Sequence, residues 1–509
     1  GVFTMGVITN FDFSILLSYD NLWAIAFGTV YGILIGALPG LGASVGVAML
    51  IPVVYKMDPI PAVIMMMALY QGASYGGSIS AITLGIPGQA GAISTVEDGN
   101  ALAKRGEPGR ALGISLYAST IGGIFGVLVL MFLTGPLSIL ATKMTDPELF
   151  LIALFGLLTL VTTSDDMHKT LIMLVVGLMV ATVGLDTFSG SPRFVVGSPI
   201  LYDGFALVPI ITGLFAVSEA FSMSMGDTSV SYVTDSKQCN CKISKADFVK
   251  TLPTVIKSAV IGTVCGIIPG LGCESGSFLA YTEAKRSSKN PDEFGKGTIV
   301  GIAAPESGNN GAVAGALVPW LAIGLPGSSF VAVISGILVV KGITPGPALM
   351  KGNTDFVYAL MWGLLFATIL MFVVGFFATS VFARLLIIPN YVLAPLVLVC
   401  SLIGAYCCRN QFFDVWVAIV CGLIGFFLKR LKYPVGAFAL AIVLADLFEG
   451  DFRRSLIISH GDMAIFFSRP VCIVMWVLIA VLVVSCVRKA AKKKKVVACN
   501  TSKEESAEK

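Results

Sequence analysis

Long apolar stretches punctuated by short polar or Gly/Pro-rich breaks dominate the chain. Apolar segments fall at about 22–38, 43–55, 60–96, 111–133, 136–161, 170–184, 205–220, 254–281, 299–340, 356–388, 391–406, 412–428, 433–448 and 463–487. The runs Pro59 to Val96 and Ala111 to Thr142 hold no charged residue, and each exceeds the roughly 20 residues that one membrane-spanning helix needs. Because some segments only half cross, the pattern predicts an all-α polytopic membrane protein of about 12 transmembrane helices. Segments 60–96 and 299–340 are internally broken. Two hydrophilic stretches, Ser222 to Lys250 and Thr282 to Lys296, are long enough to be substantial loops.

An internal repeat organises these segments. YGILIGALPGLGASVGVAML (Tyr31 to Leu50) aligns without gaps on IGTVCGIIPGLGCESGSFLA (Ile261 to Ala280). Leu69 to Gly88 aligns on Gly308 to Gly327, so that Gly72, Gly76, Gly85, Pro87 and Gly88 meet Gly311, Gly315, Gly324, Pro326 and Gly327. A third match pairs Gly99, Lys104, Gly109, Ala111 and Leu112 with Gly336, Lys341, Gly346, Ala348 and Leu349. Two homologous halves are expected: a first transmembrane repeat over 1–221, a polar loop over 222–250 and a second repeat over 251–450. A C-terminal transmembrane segment over 451–487 and a basic, mixed-charge tail over 488–509 follow. Basic residues switch loops between the halves: Lys285, Arg286, Lys289 and Lys296 follow the second PGLG segment where only Lys56 follows the first, and Lys104, Arg105 and Arg110 stand opposite Lys341 and Lys351. An inverted-topology pair accounts for that switch under the positive-inside rule, and a parallel pair is the alternative.

Composition narrows the chemistry. Of 509 residues 56% are hydrophobic and 13% charged, with 55 Gly and 23 Pro, against about 25% charge in a soluble chain. His168 and His460 are the only histidines, so a His-rich metal centre is excluded. Cys239 and Cys241 form a CxC without further ligands nearby, a weak metal signal. The net charge of +4 is scattered in short clusters, which argues against nucleic-acid binding. No GxxxxGK[ST] loop is present, and the two GxSxG matches, Gly42 to Gly46 and Gly72 to Gly76, lie in membrane-helix surroundings without a triad histidine. Asp165 and Asp166 before His168 read as a loop turn. An enzyme is not expected, and no organic cofactor is implied. No basic region followed by a cleavage site precedes the first apolar segment, which is read as a membrane helix. The tail with Lys492 to Lys495 is expected on the cytoplasmic side.

Non-helical backbone inside a bilayer is tolerated only where protein or a wet cavity satisfies it. Paired helix breaks in two halves therefore point to a transporter's binding site. Gly72, Gly76, Gly311 and Gly315 also fit small-xxx-small helix packing, and both roles stay open for them. Polar residues cluster at the breaks: Gln71, Ser74, Tyr75, Ser78, Gln89 and Asp98 in one half, and Glu274, Glu306, Asn309, Asn310, Ser328 and Ser329 in the other. With few cations beside them, an anionic substrate would be held by helix N-termini, amides and hydroxyls. Glu306 is an intramembrane acid and so a functional candidate. It would carry a proton, join Asn309 and Asn310 in a Na⁺ site, or cap a half-helix. The role of Glu274 is open. An ion or anion channel, or a ligand-sensing scaffold, would use similar breaks.

The motifs LPGLG, YGGSISAITLGIPG, EDGNALAKRGEPGRAL, IPGLG, GIAAPESGNNGAVAGALVPWLAIGLPGS and GITPGPAL closely resemble the large membrane subunit of the tripartite tricarboxylate transporter family, in order from Trp23 to Pro470. The resemblance implies a secondary-transport permease of the bacterial cytoplasmic membrane, importing citrate-like or other small organic anions on an ion gradient. It also implies two partners, a small membrane subunit and an extracytoplasmic solute-binding protein. Carried over by motif, the expected substrate-binding residues are Gly76, Gly77, Ser78, Pro87, Gly88, Gly315, Pro326, Gly327 and Ser328. The expected coupling-ion residues are Glu306, Asn309 and Asn310. Where family members often carry ESANNA, this chain reads ESGNNG, with Gly308 and Gly311.

Overall fold

The computed structural model describes residues 11–38, 41–164, 166–186, 188–225, 239–385 and 390–484. Pro39 and Gly40 of the first PGLG turn, Asp165, residues 226–238 of the polar loop and the basic tail lie outside the described residues.

The chain is helical almost throughout. Its principal helices are α1 (Tyr19–Ala37), α2 (Gly42–Lys56), α3 (Pro59–Leu84), α4 (Ile93–Lys104), α5 (Pro108–Ala141), α6 (Asp146–Thr163) and α7 (Met167–Ala181). After a two-stranded hairpin, β1 (Gly184–Leu185) with β2 (Pro192–Arg193), come α8 (Leu207–Met225, with a π-helical turn at Gly213–Val217), α9 (Lys245–Ile267), α10 (Gly272–Ser287), α11 (Ile299–Gly315), α12 (Leu317–Ile323) and α13 (Ser329–Val340). The last are α14 (Pro347–Gly352), α15 (Thr354–Leu385), α16 (Asn390–Arg409), α17 (Phe412–Arg430), α18 (Val435–Ile458) and α19 (Pro470–Val484). Among the described residues, seven helices (α1, α5, α8, α9, α15, α16 and α17) are long and apolar enough to cross a membrane, and α2, α7, α13 and α19 are shorter apolar helices.

Local chemistry sets the helix ends. Proline opens α3 and α5 at the first turn, where its missing N–H would be unpaired anyway. Thr145 and Glu148 close a capping box on α6, and Ser244 caps α9. Helices α3 and α12 stop at Gly85 and Gly324, with φ of 72° and 87°, a left-handed conformation that costs glycine little.

Glycines decide which helices touch. A Cβ added to Gly32 or Gly36 of α1 would collide with the backbone of Leu69 or Ala73 in α3, and one at Gly72 or Gly76 with the carbonyl of Thr29 or Ile33. The aligned residues of the other half make the same contacts. Gly262 and Gly266 of α9 meet the backbone of Gly308 and Ala312 in α11, and Gly311 and Gly315 meet the carbonyls of Ala259 and Thr263. Small-residue packing explains both pairs, because only glycine lets two backbones approach so closely. Helix α5, about 50 Å long at 1.5 Å per residue, joins the pairs. Its Ser115 and Gly123 lie beside Ser78 and the Gln71 side chain of α3, in reverse order, while Gly122 and Gly126 lie beside Ser307 and Gly311 of α11, in the same order. The aligned helices α3 and α11 therefore run antiparallel.

Ion pairs hold the polar ends. Arg110 at the start of α5 grips Asp247 through two bonds of 2.7 and 2.8 Å. At the other end of the bundle, Asp186 of the hairpin pairs with Arg193 and Arg453, both at 2.7 Å, and Arg193 also reaches Glu449. The Arg453 guanidinium and the Ser189 hydroxyl hold the Asp186 carboxyl well below the usual carboxylate range.

Gly262→Val is expected to destabilise the folded protein by about 1–3 kcal/mol, the usual cost of overpacking. The paired control, Gly352→Ala, adds a methyl group where nothing lies within 4 Å and is expected to change stability by less than about 0.5 kcal/mol. Thermal unfolding in detergent, with the two variants side by side, checks the difference.

Candidate functional site

A cavity of about 1990 Å³ lies where the breaks of the two halves meet. Its lining includes the first turn of α2 (Gly42 to Val45), the first turn of α10 (Gly272 to Ser275), the turn Pro87 to Gly91 before α4, and Ser328 to Phe330 at the start of α13. The matched positions share one backbone. Leu41 and Leu271 precede their helices at φ/ψ of −74/−50° and −73/−48°, followed by Gly42 and Gly272 at φ +58° and +63°. Neither α2 nor α10 has a side-chain cap at this end. The first-turn N–H groups and the positive end of each helix dipole thus favour an anion in the cavity. Glu274, at the third position of α10, is an acid in the same lining.

The facing wall is built by Leu160 to Thr162, Asp166 to Thr170 and Lys432 to Ala437. It carries Lys169, Lys429 and Lys432. Lys169 donates to the Leu431 carbonyl at 2.7 Å and lies over the Tyr433 ring, and Lys429 pairs with Glu219 at 3.0 Å.

A second polar cluster lies deeper, where α3, α5 and α11 cross. Glu306 is fully buried and accepts from Thr95 at 2.5 Å, Ser119 at 2.9 Å and Ser115 at 3.2 Å, while Ser78 and Ser115 share a 2.6 Å bond. No cation is paired with Glu306 among the described residues. Asn309 donates to the Ser74 carbonyl at 3.0 Å and Asn310 to the Gln71 carbonyl at 3.1 Å. The side-chain oxygens of Asn309, Asn310, Gln71 and Ser74 are all buried without a protein partner. Buried acceptors of this kind need an explanation such as water or an ion.

The residues singled out by sequence divide between these places. Pro87, Gly88 and Ser328 line the cavity. Gly76 and Gly315 sit in the helix contacts described above, and Pro326 is buried. Gly77 and Gly327 brace the turns: the Gly77 carbonyl accepts from Gly88 N–H at 3.2 Å, and Gly327 N–H donates to Ala316 at 3.1 Å. Ser78, Glu306, Asn309 and Asn310 belong to the buried cluster. Asp98 is fully buried and receives the N–H groups of Gly295, Gly297 and Thr298, which places it as a cap just before α11. The sequence reading missed Ser115 and Ser119, which stand in an apolar run without a break, and the lysine wall, whose signal was the KRLKYP cluster at Lys429 to Pro434.

No solved structure matches the chain. It is 35% identical over 474 residues to an uncharacterized 52.8 kDa protein in the TAR-I ttuC' 3'region of Agrobacterium vitis, covering 92% of this chain and 93% of that protein. A second uncharacterized protein, in the TAR-II ttuC' 3'region of Agrobacterium vitis, is 36% identical over 214 residues, 41% of this chain and 87% of that protein. Residues 22–440 match the tripartite tricarboxylate transporter TctA family. Seven apolar helices of spanning length and a family match over most of its length make this chain a multi-pass membrane protein that belongs to the tripartite tricarboxylate transporter TctA family.

Proposed function

We propose that the chain is the permease subunit of an ion-gradient-coupled secondary transporter that imports citrate-like tricarboxylates or other small organic carboxylates. It works in the bacterial cytoplasmic membrane with a small membrane subunit and an extracytoplasmic solute-binding protein. One observation carries the reading: two uncapped helix N-termini with matching backbone face a single cavity, an arrangement that favours carboxylates through dipoles and N–H groups. Lys169 and Lys432 put positive charge on the facing wall, while Lys429 is paired with Glu219, and Asp166 and Glu274 are acids of the same lining.

The buried cluster is the coupling-ion region. An ionised carboxylate away from water costs several kcal/mol unless it is neutralised, and hydroxyl donors alone leave the charge of Glu306 uncompensated. The neutralising ion is H⁺ on Glu306, or Na⁺ held by the unpartnered oxygens of Asn309 and Asn310, because hard cations take oxygen ligands. The antiparallel run of α3 and α11, with their aligned glycine contacts, supports two inverted repeats that alternate access around the cavity. The lysine-rich tail is then cytoplasmic.

Uptake of labelled citrate into vesicles holding all three subunits tests the function. Accumulation is expected under a Na⁺ or a proton gradient, and no gradient-dependent uptake of any carboxylate would refute it. Glu306→Gln keeps the shape but loses the charge. It is expected to cut gradient-driven uptake about tenfold or more, the effect of losing a charged interaction of 1.5–3 kcal/mol, while substrate counterflow persists. Inverted repeats predict that single cysteines replacing Met57 and Ser288 are labelled from opposite sides of the membrane. Equal labelling of both from one side excludes them.

A further inference from the structure

Tyr70 is a cavity-lining residue on α3 that bridges to both second-half turns. Its hydroxyl donates to Ser328 Oγ at 3.2 Å and lies 3.0 Å from Cys273 Sγ. Its ring stacks on Phe330 with centroids 3.9 Å apart. Cys273 and Ser328 come from positions 203 and 258 residues away in the chain.

The aligned positions of the other half carry different chemistry. Tyr70 aligns with Asn309, Cys273 with Ala43 and Ser328 with Gln89. Backbone geometry matches at these places: Gln89 and Ser328 have φ/ψ of −144/164° and −148/162°, and a Cβ at Gly42 or Gly272 would lie 3.9 Å from Gln89 Cβ or Ser328 Cβ. Both halves thus offer the cavity the same dipoles. Side chains distinguish the two sides: Ser44 and Gln89 stand on one, and Cys273, Ser275, Ser328 and Ser329, with the acid Glu274 among them, on the other, where Tyr70 reaches them. On the Gln89 side, the unpartnered Oδ1 of fully buried Asn309 abuts the cavity-lining Gly91. That oxygen is an acceptor; Glu274, one residue after Cys273, is the acceptor on the side that carries the Tyr70, Cys273 and Ser328 donors.

We infer that Tyr70, with Ser328 and Cys273 at the open end of α10, forms the subsite that seats one carboxylate group of the substrate and so fixes which way an asymmetric acid lies in the cavity. The inference rests on the transporter reading above. With substrate absent the three groups hydrogen-bond one another. With a carboxylate present, the Tyr70 and Ser328 hydroxyls turn to its oxygens, and the ring stack on Phe330 keeps the tyrosine in place. Charge-assisted bonds of this kind are about twice as strong as the neutral ones they replace.

The test uses the full three-subunit transporter in vesicles and two pairs of labelled acids that differ by one hydroxyl: citrate with tricarballylate, and malate with succinate. Tyr70→Phe keeps the ring and is expected to raise KM about tenfold for both members of a transported pair, the loss expected for one hydrogen bond to a charged group, with kcat changed less than twofold. A loss confined to the hydroxylated member would overturn the carboxylate assignment, and an unchanged KM would overturn the subsite. A second measurement does not depend on the variant folding: maleimide modification of Cys273, followed on its own peptide by mass spectrometry, is expected to slow several-fold with saturating acid. Equal modification with and without an acid that the wild-type protein transports would also overturn the subsite. If the wild-type assembly takes up none of the four acids and none of them slows the labelling, the transporter reading itself fails.

Discussion

The close approach of helix backbones at Gly32, Gly36, Gly262 and Gly266 is the contact on which the rest of the structure depends. Each pair of glycines brings a helix that ends at a break against the helix of its own half that follows, α1 on α3 and α9 on α11. The return turns use the same surfaces: a Cβ at Gly88 would strike the Gly36 carbonyl, and one at Gly327 would lie 2.7 Å from the Gly266 carbonyl. With the turns held this tightly, the starts of α2 and α10 are aimed into one cavity without a side-chain cap. Dispersion between close-packed backbones, rather than a hydrophobic drive, holds such contacts together in lipid. That is why the permissive residue matters more here than the apolar one.

The same helix carries both polar regions. On α3, Tyr70 faces the cavity, the Gln71 and Ser74 carbonyls accept from Asn310 and Asn309, and Ser78 bonds Ser115 in the Glu306 nest. The contacts with the buried polar cluster thus begin at Gln71, next to Tyr70, and run about two turns along the helix to Ser78. Glu306 is tied to hydroxyls of α4 and α5 as well, so its neutralisation bears on three elements that pack together.

Much of this was legible in the residues. The matched PGLG and Pro-Gly breaks announced interrupted helices, and the intramembrane acid Glu306, with Asn309 and Asn310 after it, announced a polar cluster. Two of the three hydroxyl partners of Glu306 were not legible: Ser115 and Ser119 sit in an uninterrupted apolar run, where a serine reads equally well as helix packing, whereas Thr95 belongs to the polar cluster at the first-half break. Asp98 looked like one more polar residue of the break, and its work as a cap for α11 depends on N–H groups some 200 residues later. The balance between packing and site roles at Gly76 and Gly315 also needed coordinates, which put both glycines inside helix contacts.

By itself the sequence determined that the chain must cross a bilayer many times and must break its helices at matched places, because apolar length and Gly/Pro interruption are local properties that the surrounding lipid reads directly. Only the tertiary structure decided which breaks share a cavity, which polar side chains meet Glu306 and which donors Tyr70 gathers. Those choices depend on the distance and direction at which helices far apart in the chain approach one another. A local pattern of residues carries no record of either.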